Sequence, residues 1–156
     1  MVKKLFLVLS HGAMLAFGFA LGIYLLPILT APPSADSGQM QSAVTQARYH
    51  GEFKRDLKGS DFFHWGEGKV SIGNEFVSLQ GEIAPGPDYR LYLSPVFVED
   101  EAEFLANKSK MKQVAEVKSF NNFVVPIKGS VEIENYTTMI IWCEAFGEFI
   151  TAAKYR

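Results

Sequence analysis

The chain has 156 residues, 15 Lys and Arg against 17 Asp and Glu, and a formal net charge of −2. That length suits one ordinary domain, and a near-neutral balance without a basic run argues against a nucleic-acid partner. The single cysteine excludes an intramolecular disulfide, so any core must hold by packing alone.

The first element is "LFLVLSHGAMLAFGFALGIYLLPIL", residues 5–29, which carries no charge. Residues 5–26, ahead of Pro27, span about 33 Å as a helix, against a hydrocarbon core of roughly 30 Å. Lys3 and Lys4 precede the run, which places the N-terminus in the cytoplasm and all that follows residue 30 outside it. The run exceeds the ~7–15 residues of a signal-peptide core, and Ala31 and Ala35 have prolines where cleavage disfavours them. An uncleaved single-pass anchor is therefore expected over residues 1–30. Gly18 and Gly22 form a G-x-x-x-G that permits close helix approach and a homodimer. His11, near the inner interface, reads as tolerated.

Residues 31–48 follow, rich in Pro, Ser, Ala and Gln, and read as a flexible stalk. Residues 36–156 hold 13 basic and 17 acidic side chains, a net −4, as suits a soluble domain.

The domain itself is expected over residues 49–156. "GKVSI" (68–72) and "EFVSLQGEI" (75–83) flank Gly73-Asn74, a hairpin signal, and the second alternates with period 2. "APGP" (84–87) cannot continue a ladder, because its prolines lack a donor. "YRLYLSPVFV" (89–98) is the next strand. "VEDEAEFLANKSK" (98–110) allows a helical turn or two. "KQVAEVKSF" (112–120), "FVVPI" (123–127), "YTTMIIWCEAF" (136–146) and "EFITAAKY" (148–155) complete the set. Six or seven short strands with turns between them predict an all-β class, a small antiparallel β-sandwich or barrel-like domain behind one transmembrane helix.

Strand parity puts Met139, Ile141, Cys143 and Ala145 on one face, all apolar, and Ile140, Trp142, Glu144 and Phe146 on the other. Cys143 is thus expected to point inward. A buried thiol is a small hydrophobe with a raised pKa. Core filler, an intermolecular disulfide, and a sulfur that binds a buried group or exchanges electrons all remain open for it.

His64, in "FFHWGEG", is the second candidate, as a metal ligand, as a group orienting a thiolate, or as a histidine bonded to backbone. No CxxCH, HExxH or CxxC is present, so no motif implies a cofactor. A buried metal or haem stays open on the residue types alone. Asp88 in "GPDYR" reads as a turn residue, with Gly86 and Pro87 shaping the same turn.

Three blocks stand together: "GEFKRDLKGSDFFHWGEGKVSI" (51–72), "GPDYRLYLS" (86–94) and "YTTMIIWCEAF" (136–146). They resemble the electron-transfer DM-thirteen family, found beside DOMON domains in Skeletor-like animal proteins and alone in bacterial envelope proteins. The resemblance covers about residues 49–156. It implies a β-sandwich and a redox role centred on Cys143, with His64 and Trp142 as groups that tune it and a protein redox partner. It also implies a bacterial cytoplasmic membrane, with the C-terminal domain periplasmic. The alternative is a non-enzymatic extracytoplasmic binding or adhesion module in which Cys143 is core packing; no nucleophile–base pair or phosphate loop points to a hydrolase.

Overall fold

Strand-forming runs separated by Gly, Pro and Asn build eight strands in the computed structural model, which describes residues 2–156. They are β1 (Tyr49–Phe53), β2 (Gly66–Ile72), β3 (Phe76–Ile83), β4 (Tyr89–Ser94), β5 (Lys112–Val117), β6 (Asn121–Pro126), β7 (Thr138–Cys143) and β8 (Glu148–Lys154). Two antiparallel four-stranded sheets result, ordered β1-β2-β3-β6 and β5-β4-β7-β8. They pack as a sandwich. The Gly73-Asn74 signal does make the β2–β3 hairpin, where Gly73 N donates to Phe76 O at 3.0 Å.

Between the sheets lies one core, including Val70, Ile72, Leu79, Leu91, Leu93, Met139, Ile141 and Cys143. Full burial of each larger aliphatic contributes about 1.5–3 kcal/mol. A second, smaller cluster of Tyr92, Phe104, Ile140, Trp142 and Phe149 lies on the outer face of the second sheet. Its cover is α3 (Glu101–Asn107), started by the Asp100 carboxylate, which accepts from Glu103 N at 2.8 Å. Strand β7 is consequently buried on both faces. That explains why its sequence is a continuous apolar run rather than an alternation.

Three features depart from the sequence reading. The chain is not strictly all-β, since it also carries the helices α1 (Val2–Thr30), α2 (Ser37–Gln46) and α3. In place of the flexible stalk expected over 31–48, α2 forms behind a capping box of Asp36 and Gln39. Its Met40 and Ala43 are buried, and Ala35 N donates to Asn122 O at 2.7 Å, so this segment docks on the domain. One methionine and one alanine about a turn apart suffice to seat a short helix that composition alone marks as linker. The extra strand is β1, "YHGEF", a short edge strand whose period-2 alternation spans only five residues around a glycine.

Helix α1 is long and apolar enough to cross a membrane, and it continues through Pro27. Pro27 cannot donate to the Ile23 carbonyl. The last turn is instead closed by Thr30 Oγ1, which donates to Leu26 O at 2.8 Å.

Candidate functional site

Cys143 ends β7, directly opposite Tyr89 of β4 and Glu148 of β8. Parity holds as far as the strand runs: Cys143 sits in the inter-sheet core with Met139 and Ile141 and is 2% exposed, whereas Ala145 and Phe146 lie in the turn beyond it, Ala145 exposed and Phe146 carried round to the Cys143 side. Its Sγ donates to the Pro87 carbonyl at 3.0 Å. Burial pushes the thiol pKa up, against the smaller opposing effect of the Phe146 and Ala145 N–H groups. At neutral pH the sulfur is a thiol, neither a free nucleophile nor a free ligand.

The Gly86-Pro87-Asp88 turn is built against this sulfur. A Cβ on Gly86 would lie 2.3 Å from Tyr89 Oη, so only glycine lets the Tyr89 ring close over the turn. Asp88 adopts φ 53°, a left-handed conformation that Asp and Asn tolerate best. Its carbonyl accepts from Glu144 N at 3.1 Å, and its carboxylate pairs with Arg90. Arg90 also meets Glu116 at 3.0 Å. Hydrogen bonding to Lys128, with the charges of Lys128 and Arg90, holds the Glu116 carboxyl at about 2. The structural role expected for Gly86, Pro87 and Asp88 thus has a geometry: they form the floor and rim beside Cys143.

His64 lies in the turn between β1 and β2. Its Nδ1 is 3.0 Å from Asp61 Oδ2, and Asp61 Oδ1 accepts from the N–H groups of Phe63 and His64. Slight burial opposes ionisation of Asp61, but these bonds outweigh it and hold its carboxyl below the ordinary range. The histidine is therefore tied to a side chain as well as to backbone, with its Nε2 left without a hydrogen bond among the described residues.

These pieces meet at one cavity of about 270 Å³. Cys143, His64, the Pro85–Pro87 turn, Tyr89 and Glu148 line it, with Phe63, Phe146 and Ile150 supplying apolar wall. Ala20, Ile23 and Tyr24 of α1 close one side. A neighbouring hollow of about 420 Å³ shares Gly86, Pro87 and Tyr89 and is walled by Leu26, Pro27 and Thr30. Of the three candidates expected from sequence, Cys143 and His64, 79 positions apart, share a wall of this cavity, and Trp142 does not line it. Phe63, Phe146 and Glu148 were not distinguishable beforehand; only the turn at Gly147 (φ 71°), where Gly147 N donates to Cys143 O at 2.9 Å, brings Phe146 and Glu148 round.

Trp142 is not part of this cavity. It points to the opposite face and stacks on Phe104, centroids 3.9 Å apart at 12°. Lys108 Nζ sits 5.5 Å from its ring and 3.0 Å from Glu144 Oε2. Tyr92 Oη donates to the same carboxylate. Partial burial would raise the Glu144 carboxyl, but Tyr92 and Lys108 keep it below its usual range. Trp142 and Cys143 thus face opposite ways, as strand parity places them, and the indole makes no contact with the cavity that holds the sulfur.

Cys143, His64 and Glu148 offer sulfur, nitrogen and oxygen donors to one cavity. Even so, no group of three His, Cys, Asp or Glu among the described residues stands close enough to hold a metal ion. A metal site made by this chain alone does not fit. The cavity also lies just under the range of about 300–1,000 Å³ usual for small-molecule sites, so a macrocycle the size of haem does not fit as the walls stand. The space suits a single ring or a short apolar chain beside the sulfur.

A family model described as Electron transfer DM13 matches residues 56–155. No curated protein and no solved structure matches the chain.

Proposed function

Because the chain belongs to the electron-transfer DM-thirteen family, we propose that it is a membrane-anchored extracytoplasmic electron-transfer domain whose working site is the Cys143 cavity. Its place is a bacterial cytoplasmic membrane, crossed once by α1, with residues 31–156 on the periplasmic side. Lys3 and Lys4 ahead of the span support that orientation. Gly18 and Gly22 have open space around them, which leaves their face of α1 free for a second copy.

The single observation that carries the reading is that Cys143, otherwise a core residue, forms the wall of a cavity together with His64. A sulfur used only as filler would need no adjoining space. Binding through that sulfur would release its thiol proton, and His64 is the nearby base of suitable type to receive it. The partner that delivers or removes electrons is a protein or a small carrier presented at the cavity mouth.

The test uses the full chain purified in detergent from its membrane. An absorption spectrum, metal analysis and small-molecule extraction are compared with those of Cys143→Ser. A bound group present in the wild type and lost in the variant supports the proposal. Wild-type chain that carries nothing and takes up no electrons from a mild reductant overturns it.

One observation favours a second reading, a binding module in which Cys143 only packs. The thiol is already satisfied by Pro87 O and sits among Met139 and Ile141. In that case Cys143→Ser changes stability and nothing else.

A further inference from the structure

Helix α1 has 29 residues, about 43 Å at 1.5 Å per residue, against a hydrocarbon core of about 30 Å. With Lys3 and Lys4 at the inner edge, some twenty residues of span end near Tyr24. Tyrosine is one of the two side chains that favour this depth. The domain does not begin beyond that level. Ala20, Ile23 and Tyr24 share the Cys143 cavity with Phe63 and Phe146. Tyr24 also lines a second hollow, of about 290 Å³, with Phe62, Phe63, Trp65 and Arg55. The domain therefore hangs beside the last turns of α1, reaching back about 15 Å from Thr30 to Ala20.

The side chains on that overhang are unusual for a surface in water. Phe62 is 85% exposed, Phe63 59% and Phe146 56%. Phe62 and Phe63 meet edge to face at 5.0 Å, a pair with nothing over it. Several neighbouring charges are paired: Asp61 with His64, and Glu67 and Glu82 with Arg55, whose guanidinium lies 3.4 Å over the Trp65 ring; Glu148 alone of the charged cavity residues has no ion pair among the described residues. Paired charges and bare aromatic rings at the level of an interfacial tyrosine are the makings of a bilayer-facing surface.

We propose that Phe62, Phe63 and Phe146 form a membrane-docking face. It seats in the headgroup–acyl boundary of the same bilayer that α1 crosses, and it holds the mouth of the Cys143 cavity at lipid level. A lipid-borne ring or chain then reaches the cavity without passing through water. The proposal rests on α1 being the anchor, which is checked separately below.

The test reconstitutes the full chain in phosphatidylcholine vesicles, with Trp65→Phe as background so that only buried Trp142 emits. Phe62→Trp is compared with Phe97→Trp, an exposed site beyond the far end of β4. With brominated phosphatidylcholine, Phe62→Trp should lose most of its emission and Phe97→Trp should keep it. Emission of Phe62→Trp that is untouched by the brominated lipid, or equal quenching at both positions, overturns the docking face. Carbonate washing of wild-type membranes tests the anchor by itself. Release of the chain overturns the anchor and the docking face together. Retention with an unquenched Phe62→Trp overturns the docking face alone.

Discussion

Cys143 and Trp142 are neighbours in sequence and back to back in the structure. Cys143 lies in the core between the sheets, with its sulfur on Pro87 O, while Trp142 lies outside the second sheet, stacked on Phe104. The Trp-Cys pair is thus two separate packing solutions on one strand, and mutations in the two residues should read out differently.

Trp142→Phe removes part of the stack with Phe104 and should destabilise the domain, while Phe104→Ala should cost about 3–5 kcal/mol. Neither should alter the reactivity of the Cys143 thiol in the native state. Urea unfolding gives the first quantity and thiol labelling the second. Labelling that speeds up in native Trp142→Phe would contradict the separation of the two faces.

Cys143→Ser keeps a donor for Pro87 O but places a hydroxyl among Met139 and Ile141. A loss of about 1–3 kcal/mol is expected from the poorer transfer of a hydroxyl into this core. A thiol-reactive dye should modify wild-type Cys143 only slowly below denaturing conditions. The folded pKa lies above the unfolded one, so this group's contribution to stability is complete below the unfolded thiol pKa. It is lost as pH climbs through the folded value. Stability measured from pH 7 upward should fall more steeply in wild type than in Cys143→Ala.

Gly86→Ala forces a Cβ to within 2.3 Å of Tyr89 Oη. Tyr89 is buried and edge-to-face with Phe120, so it has little room to retreat. A loss of about 1–3 kcal/mol is expected, as for overpacking in general. The melting temperature reports it, and adding Tyr89→Phe, which removes the clashing oxygen, should restore part of the loss.

Glu116 titrates at about 2 because Lys128 and Arg90 face its carboxylate. Its folded pKa is depressed, so the stabilisation is present above the ordinary carboxylate range and fades as pH falls toward 2. All three side chains are exposed to some degree, and salt screens them. Lys128→Met should move the carboxyl resonance midpoint upward in an NMR titration, and molar salt should do the same in the wild type. A midpoint unmoved by either change excludes the ion pairs as its cause.

Most of the sandwich was legible because its strands announce themselves. Val77, Leu79 and Ile83 alternate with polar neighbours, and Gly73-Asn74 marks the hairpin. Cys143 and His64 stood out by residue type and by resemblance. What the sequence withheld depends on partners distant along the chain. Helix α2 is decided by whether Met40 and Ala43 find the outer face of β3 and β6, which no local pattern records. The edge strand β1 does alternate, with Tyr49, Gly51 and Phe53 inward and His50 and Glu52 exposed, but five residues centred on a glycine make too short a run to stand out. Strand parity already placed Trp142 on the face away from Cys143, and only the family resemblance linked the two; what parity could not show is that Phe104 of α3 covers the indole. The aromatic wall of the cavity, Phe63 and Phe146, is contributed by two turns whose meeting is purely tertiary.

The register between β4 and β7 has one more implication. Tyr89 faces Cys143 at one end, and Ser94 faces Thr138 at the other, about 17–20 Å away along the strands. The exposed Gly129-Ser130 turn belongs to that distant end as well. Insertions or deletions there change the number of residues separating "GPD" from "WC" without moving either one. Kinship with this chain is therefore better sought by matching two cross-strand pairs than by counting residues between motifs. The Gly129-Ser130 turn is also the natural place to splice in a tag or a reporter domain.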